Sequence, residues 1–387
     1  MPRRAVLELA EYPFQFKGKS LRMNKAYSIQ NYQSNTILTD DTFTYIDFFF
    51  SSHTKVMKYR DSALKARHGD ASQYHYSFYW KQAMAFYNAA QTLPIESSPL
   101  ASYYSMLNAV KALIAYREKY VDDFINDFSA HGLAEEKTMT GDSLEHIGVK
   151  RYDFGVFVHL GKMLEPDFAT EWPKNTAWTL KKLLSNLAYV HRAFITTYTT
   201  PRRKIPEQFL PVAAGKAPVY RKANDGNLYL TVEVEKSHFS PSLVTIPSSA
   251  LAAIAPEFVL EKNDGFILRS ANGAKRNSDS ISKELKELNT LLRKKFQYIK
   301  SERRLWYLRE RIPASTNFIN VSSMLIEMAA MHRFSEIVRY KPERLARLMS
   351  SNENWLIHEF LTLTLNQFID EIAAEITGQD IMCTGVK

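Results

Sequence analysis

The chain has 387 residues, of which 45% are hydrophobic, 13% aromatic and 24% charged, the proportions of a folded globular protein. That composition excludes a disordered chain, a collagen-like chain and a disulfide scaffold. Its net charge of +9 favours polyanions such as nucleic acid or nucleotides, an anionic membrane surface or an acidic partner, although many housekeeping proteins carry a similar excess. The single cysteine, Cys383, permits neither an intrachain disulfide nor a thiolate zinc cage. Cysteine usage fits a reducing cytoplasm, and neither a metal nor a cofactor is expected.

After Met1-Pro2-Arg3-Arg4 the apolar stretch is interrupted by Glu8 and Glu11 and is too short for a signal-peptide core. No window approaches 18 uncharged apolar residues, so no membrane span is expected. Residues 1–75 read as a mixed segment of short strands or irregular structure. Pro13, Gly18 and Asp40-Asp41 break its pattern, and Phe43 to Phe50 is strongly aromatic.

A helical domain is expected over 76–200. A first helix covers 76–92 and is ended by Pro94. Ser98-Pro99 opens the next, because Ser caps free amides and Pro at the first position loses nothing by lacking an N–H. To about Arg117 it carries two stripes at helical spacing. One is large and apolar (Leu100, Tyr103, Leu107, Val110, Ile114), the other nearly all small (Ala101, Ser105, Asn108, Ala112, Ala115). Such a helix should be buried on two sides at the centre of a bundle. A loop with His131-Gly132 follows, then a glycine-rich stretch (Gly141, Gly148, Gly155, Gly161), then a helix over 175–198 stopped by Pro201.

Over 201–275 seven prolines punctuate short runs, and Asp225-Gly226 and Asn263-Asp264-Gly265 are hairpin-turn signals. This region reads as an antiparallel β insertion. A C-terminal helical domain covers 276–387. Its helices are expected at about 280–300, 318–340 with Met324, Met328 and Met331 on one face, 342–349, and 352–377 with Gly378 as the stop. The fold class is therefore mainly α, a helical bundle with a small antiparallel β insertion.

The most localised charge lies at 293–311. Eight basic residues (Arg293, Lys294, Lys295, Lys300, Arg303, Arg304, Arg309, Arg311) stand against Glu302 and Glu310, with Phe296, Tyr298, Trp306 and Tyr307 interleaved. Basic heads hold phosphates and aromatic rings stack on unpaired bases, so these residues are candidate nucleic-acid ligands. The competing reading is a helix with a solvated basic face and aromatics in the core. Arg333 and Arg339 sit in a helix that otherwise looks buried. A buried guanidinium must be paired or bind an anion, which leaves ion pairing with Glu327, Glu336 or Glu343, or an anion pocket, open. His131 is a candidate general acid or base, or a residue that merely caps a turn. The pairs Asp122-Asp123 and Asp370-Glu371 read as solvated helix faces. The Met face can line the chain's own core or a partner's surface.

Two patterns together, Pro99 to Leu113 with His131-Gly132-Leu133, and Asn320-Val321-Ser322 with Arg339-Tyr340 before a long closing helix, resemble the YaaC-like family of bacterial proteins over about 76–375. The first pattern is also similar to the helix of HEPN domains, through Ser102, Tyr103, Tyr104, Asn108, Ala109, Lys111, Ala112 and His131. HEPN resemblance implies a small helical bundle in bacterial toxin and antiphage defence systems. It also implies either metal-independent ribonuclease activity or binding of nucleotides, nucleic acid or partner proteins. Many such ribonucleases use an Arg and a His four to six residues apart. None of the ten histidines here has an Arg five, six or seven positions before it, and Arg151 misses His159 by one residue. The leading expectation is a cytoplasmic protein that binds RNA, DNA or a nucleotide. The rivals are a ribonuclease or nucleotide-modifying enzyme centred on His131, and a scaffold or homo-oligomer without a ligand.

Overall fold

The computed structural model describes residues 15–16, 19–20, 22–23, 25–27, 36–53, 55, 58–69, 75–125, 127–137, 139, 141–174, 176–202, 204–261, 265–275, 281–301, 304–309 and 318–384. The chain divides into two compact units. A helical unit comprises Thr39–Lys204 and Val321–Thr377, and a β-rich unit comprises Met1–Leu38, Ile205–Asn320 and Gly378–Lys387. Both units are discontinuous in sequence. The segments expected at 1–75 and 276–387 are each shared between the two, and 201–275 is only part of the β-rich one. The protein is mainly α. Among the described residues no helix is long and apolar enough to cross a membrane.

In the helical unit, α1 (Thr42–Ser52), α2 (Tyr76–Thr92) and α3 (Ser98–Arg117) come first. The aromatic run expected as strand or irregular structure is α1. Its spacing, with Phe43, Ile46 and Phe50 buried, is helical, and Asp41 caps the Thr44 N–H at 3.0 Å. Helix α3 begins at Ser98-Pro99 as its sequence requires, and both of its stripes are largely buried. It packs against α2 and against two later helices, Ser323–Tyr340 and Asn354–Thr377. Small side chains permit the closest approach, where Ser105 Oγ donates to the Ala83 carbonyl of α2 at 2.8 Å.

Antiparallel strands β1 (Leu133–Glu136) and β2 (Gly148–Arg151), for which no strand was expected, follow the His131-Gly132 loop and flank the start of the glycine-rich stretch. They are joined by β3 (Ala177–Thr179). Helix α4 (Val156–Leu164) lies between β2 and β3 in sequence. The single helix expected over 175–198 is broken after Leu184 and resumes at His191. Ser185 Oγ and Asn186 Nδ2 both donate to the Lys182 carbonyl, which diverts a helix acceptor to side chains.

Helices α5 (Ser323–Tyr340), α6 (Pro342–Met349) and α7 (Asn354–Thr377) complete the unit. Met324, Met328 and Met331 are fully buried, so that face belongs to the chain's own core. Asp370 and Glu371, expected on a solvated face, are buried as well.

Glu327 of α5 is fully buried. Burial, and then the neighbouring Glu371 carboxylate, hold its carboxyl well above the ordinary range. An acid whose folded pKa is raised stabilises fully only below its unfolded pKa, about 4.3 for Glu. That contribution is lost as pH rises toward the folded value. Glu327→Gln is therefore expected to gain stability over the unaltered chain as pH rises from 5 to 8, measured by urea denaturation across that range. Parallel pH profiles would contradict this.

In the β-rich unit, strands β4 (Phe209–Pro211), β5 (Val219–Lys222), β6 (Leu228–Glu233), β7 (Phe258–Leu260), β8 (Ile267–Ser270), β9 (Phe296–Ile299) and β10 (Leu305–Arg309) form two antiparallel sheets. Their orders are β7-β8-β6-β5 and β9-β10-β4. The Asp225-Gly226 turn joins β5 to β6, with Tyr220 opposite Leu230. Strands β7 and β8 pair around the second expected turn; its Asn263 and Asp264 lie outside the described residues. The core holds Leu230, Val232, Leu268, Phe296, Tyr298 and Trp306. The helix expected over 280–300 stops at Arg293. Phe296 and Tyr298, opposite Leu308 and Trp306, alternate with period two and so face inward from strands.

Candidate functional site

The basic segment is the first place to look for a ligand, and its described residues do not form a solvent-facing strip. Arg293 is 1% exposed and Arg309 3%, and Lys294 and Lys295 are buried. Arg293 donates to the carbonyls of Phe296 (2.9 Å) and Lys25 (2.5 Å). Arg309 donates to the carbonyls of Lys294 (3.1 Å) and Ile319. Lys295 pairs with Glu257 at 2.8 Å and Arg304 with Asp380 at 2.9 Å, while Lys300 is half-buried. Arg303 and Arg311 lie outside the described residues. Arg293 ends a helix, Lys294 and Lys295 form the turn after it, and Arg309 closes β10; at these element ends the planar guanidinium forks satisfy backbone acceptors.

A different arrangement emerges in the helical unit. On α3, Leu100, Tyr103 and Tyr104 stand at i, i+3 and i+4. On α5, His332, Ser335, Glu336 and Arg339 stand at i, i+3, i+4 and i+7. Residues at these spacings share a helix face, and all seven line one cleft of about 360 Å³. The segment Ala130 to Leu133 closes it. Thus His131 and Arg339, separated by more than two hundred positions, share one wall-to-wall space. Arg333 is buried and is not among the residues that line it.

The loop holding His131 is fixed by backbone geometry. Helix α4 begins with free amides, and two of them take this loop as their acceptor: Val156 N–H donates to the Ala130 carbonyl and Phe157 N–H to the His131 carbonyl, both at 3.0 Å. Tyr152 N–H donates to the Gly132 carbonyl at 2.9 Å. This approach requires Gly155, at φ +112°. A Cβ there would lie 2.5 Å from the Gly132 nitrogen and 2.6 Å from its Cα.

Around the cleft the rings form a cluster. Tyr103 lies 5.0 Å from His332, edge-on, and 5.4 Å from His131. The two imidazoles are 5.9 Å apart, and Tyr104 is 6.3 Å from His131. Tyr103 and His332 are buried, and Tyr103 Oη and His332 Nδ1 make no hydrogen bond among the described residues, Nδ1 standing 3.7 Å from Glu336 Oε2. Exposed Tyr152, Phe154 and Tyr340 stand at the mouth, where Arg339 lies 4.9 Å over the Tyr340 ring.

The electrostatics keep the floor uncharged at neutral pH. Burial, then His131 and Arg333, push His332 down to about 3. Burial, then the cations of Lys111 and Arg339, lower His131. Burial, then Glu336 and Tyr104, raise the Tyr103 hydroxyl well above its usual range. The Arg333 guanidinium is spent on carboxylates: Nη1 meets Glu336 at 2.9 Å and Nη2 meets Glu135, which also pairs with Lys341 at 3.0 Å. It is a structural ion pair, and Arg339 is the cation the cleft presents to solvent.

Of the residues singled out in the sequence, His131 and Arg339 line this cleft, as does Tyr103 of the HEPN-like pattern; His332 was not singled out, and Glu336 was read only as an ion-pair partner. The available signal was the polar face 332, 335, 336 and 339 in the C-terminal half of α5.

A family model described as YaaC-like Protein matches residues 44–376. No curated protein matches the chain, and no solved structure matches it.

Proposed function

The chain belongs to the YaaC-like family, and we propose that the cleft between α3 and α5 binds a nucleotide, free or within a nucleic-acid strand. The observation that carries this reading is a ring-lined cleft whose lining includes buried Tyr103 and His332, with Tyr103 Oη and His332 Nδ1 in no hydrogen bond among the described residues, and the exposed Arg339. Aromatic and imidazole rings suit a flat heterocycle. Unpaired buried polar groups are costly, so a ligand that satisfies them gains affinity. Arginine is suited to phosphate. A volume near 360 Å³ falls at the small end of ligand sites. The wider role in a bacterial defence or stress system follows from the HEPN-like resemblance alone.

Isothermal titration of the full chain with nucleoside 5′-monophosphates, and with short single-stranded RNA and DNA, tests the proposal. Saturable binding is expected, weakened about tenfold to a hundredfold by Arg339→Gln, since a charge-assisted hydrogen bond contributes about 1.5–3 kcal/mol. Salt dependence should be shallow, because one phosphate contact releases few counterions. Steep salt dependence with no effect of Arg339→Gln would place the ligand elsewhere.

The ribonuclease reading shares the cleft. It is favoured by a half-buried His131 held neutral beside Lys111 and Arg339, since a neutral imidazole can accept a proton. If it holds, His131→Ala lowers RNA cleavage about 100-fold or more. Equal cleavage by both proteins, or none by either, counts against it.

A further inference from the structure

Resting on the nucleotide reading of this cleft, we infer that the ligand enters base first, with its heterocyclic edge hydrogen-bonded to Tyr103 and His332 and its phosphate left outside against Arg339. Either end of a nucleotide can in principle lead into a cleft, and here the two ends of the cleft differ in charge. The inner end is a Tyr hydroxyl and two imidazoles, without a cation of its own. Arg333, the nearest buried guanidinium, already pairs with Glu336 and Glu135. The Glu336 carboxylate itself lines the cleft. A phosphate pushed inward would lose its water, meet no free cation and face a carboxylate, and an uncompensated buried anion is very costly.

A base avoids all three penalties. Tyr103 Oη carries a proton and can donate it. His332 in its neutral form offers one N–H and one acceptor nitrogen. Neither Tyr103 Oη nor His332 Nδ1 makes a hydrogen bond among the described residues, and the nearest carboxylate to Nδ1, Glu336, stands at 3.7 Å. An uncharged planar ring edge that carries both donors and acceptors answers the hydroxyl and the imidazole in either tautomer, whereas a phosphate dianion, which only accepts, answers donors alone. The exposed lip then suits the phosphate, with Arg339 beside Tyr340, which is 63% exposed. Because the phosphate stays outside, the same geometry admits a free nucleotide and a nucleotide at the end of a strand.

Isothermal titration of the full chain with four probes reads the orientation: nucleosides of each common base, their 5′-monophosphates, ribose 5-phosphate and inorganic phosphate. The expected result is that at least one nucleoside and its monophosphate bind, while ribose 5-phosphate and phosphate do not. Tyr103→Phe, which keeps the ring and its packing, should weaken nucleoside and monophosphate alike by about tenfold. Arg339→Gln should weaken only the monophosphate. His332→Gln is the second inner variant; where it fails to fold, Tyr103→Phe carries the test. If ribose 5-phosphate binds as tightly as the monophosphate and Tyr103→Phe changes nothing, the orientation is overturned while nucleotide binding stands. If no probe binds, the nucleotide reading fails and the orientation with it.

Discussion

Replacing Arg293 with Ala is expected to lower the unfolding free energy by about 3–5 kcal/mol, through two buried acceptors left unpaired and the space vacated by the side chain. The guanidinium serves the Phe296 and Lys25 carbonyls and lies 4.2 Å from the Tyr27 ring centre and 5.4 Å from that of Trp306. Without it, two carbonyls at about 1–3 kcal/mol each lose donors, and the cavity adds to the loss. Lys does not restore this, because a single ammonium cannot reproduce a planar fork. Urea denaturation measures it. A residue that merely displayed charge to a polyanion would behave in the opposite way: stability would change by less than about 0.5 kcal/mol and ligand affinity would fall. A loss below about 1 kcal/mol would contradict the structural role.

The second large effect falls on Gly155. Gly155→Ala is expected to destabilise by about 2–5 kcal/mol and to displace the His131 loop. Positive φ of this kind costs a non-glycine residue about 1–3 kcal/mol, and the added methyl meets backbone rather than a movable side chain, for which overpacking adds about 1–3 kcal/mol. Gly132 offers the comparison. It also has positive φ, but its nearest neighbour, the Phe154 carbonyl oxygen, would be 3.1 Å from a Cβ. Gly132→Ala should therefore cost less, and the two denaturation midpoints should separate in that order. Equal midpoints would mean that the close approach of the two glycines does not hold the loop.

The long helices were legible because their signals are local. Ser98-Pro99 and the two stripes define α3, and Pro342 and Gly378 bracket the last two helices. The strands around the glycine-rich stretch were hidden because β1, β2 and β3 are only three or four residues long, and their pairing is non-local. At 293–311 a count of charges concealed the alternation of Phe296, Tyr298, Trp306 and Leu308, which marks two paired strands where a helix was expected. The aromatic run at 43–50 shows the converse: β-prone composition gave way to a buried face with helical spacing and an Asp41 cap. Half of the cleft was legible. His131 and Arg339 stood out by residue type, but only folding brings them together, and His332 becomes meaningful only beside Tyr103. Burial had the same effect on the carboxylates, since nothing near Asp370-Glu371 in sequence marks that turn of α7 as interior.

The most direct test of the cleft reading is a crystal structure of the full chain with a nucleoside 5′-monophosphate that binds in solution. The reading requires density for the base beside Tyr103 and His332, and the phosphate within hydrogen-bonding distance of Arg339. A nucleotide bound on the β-rich unit, with this cleft unchanged, would contradict it.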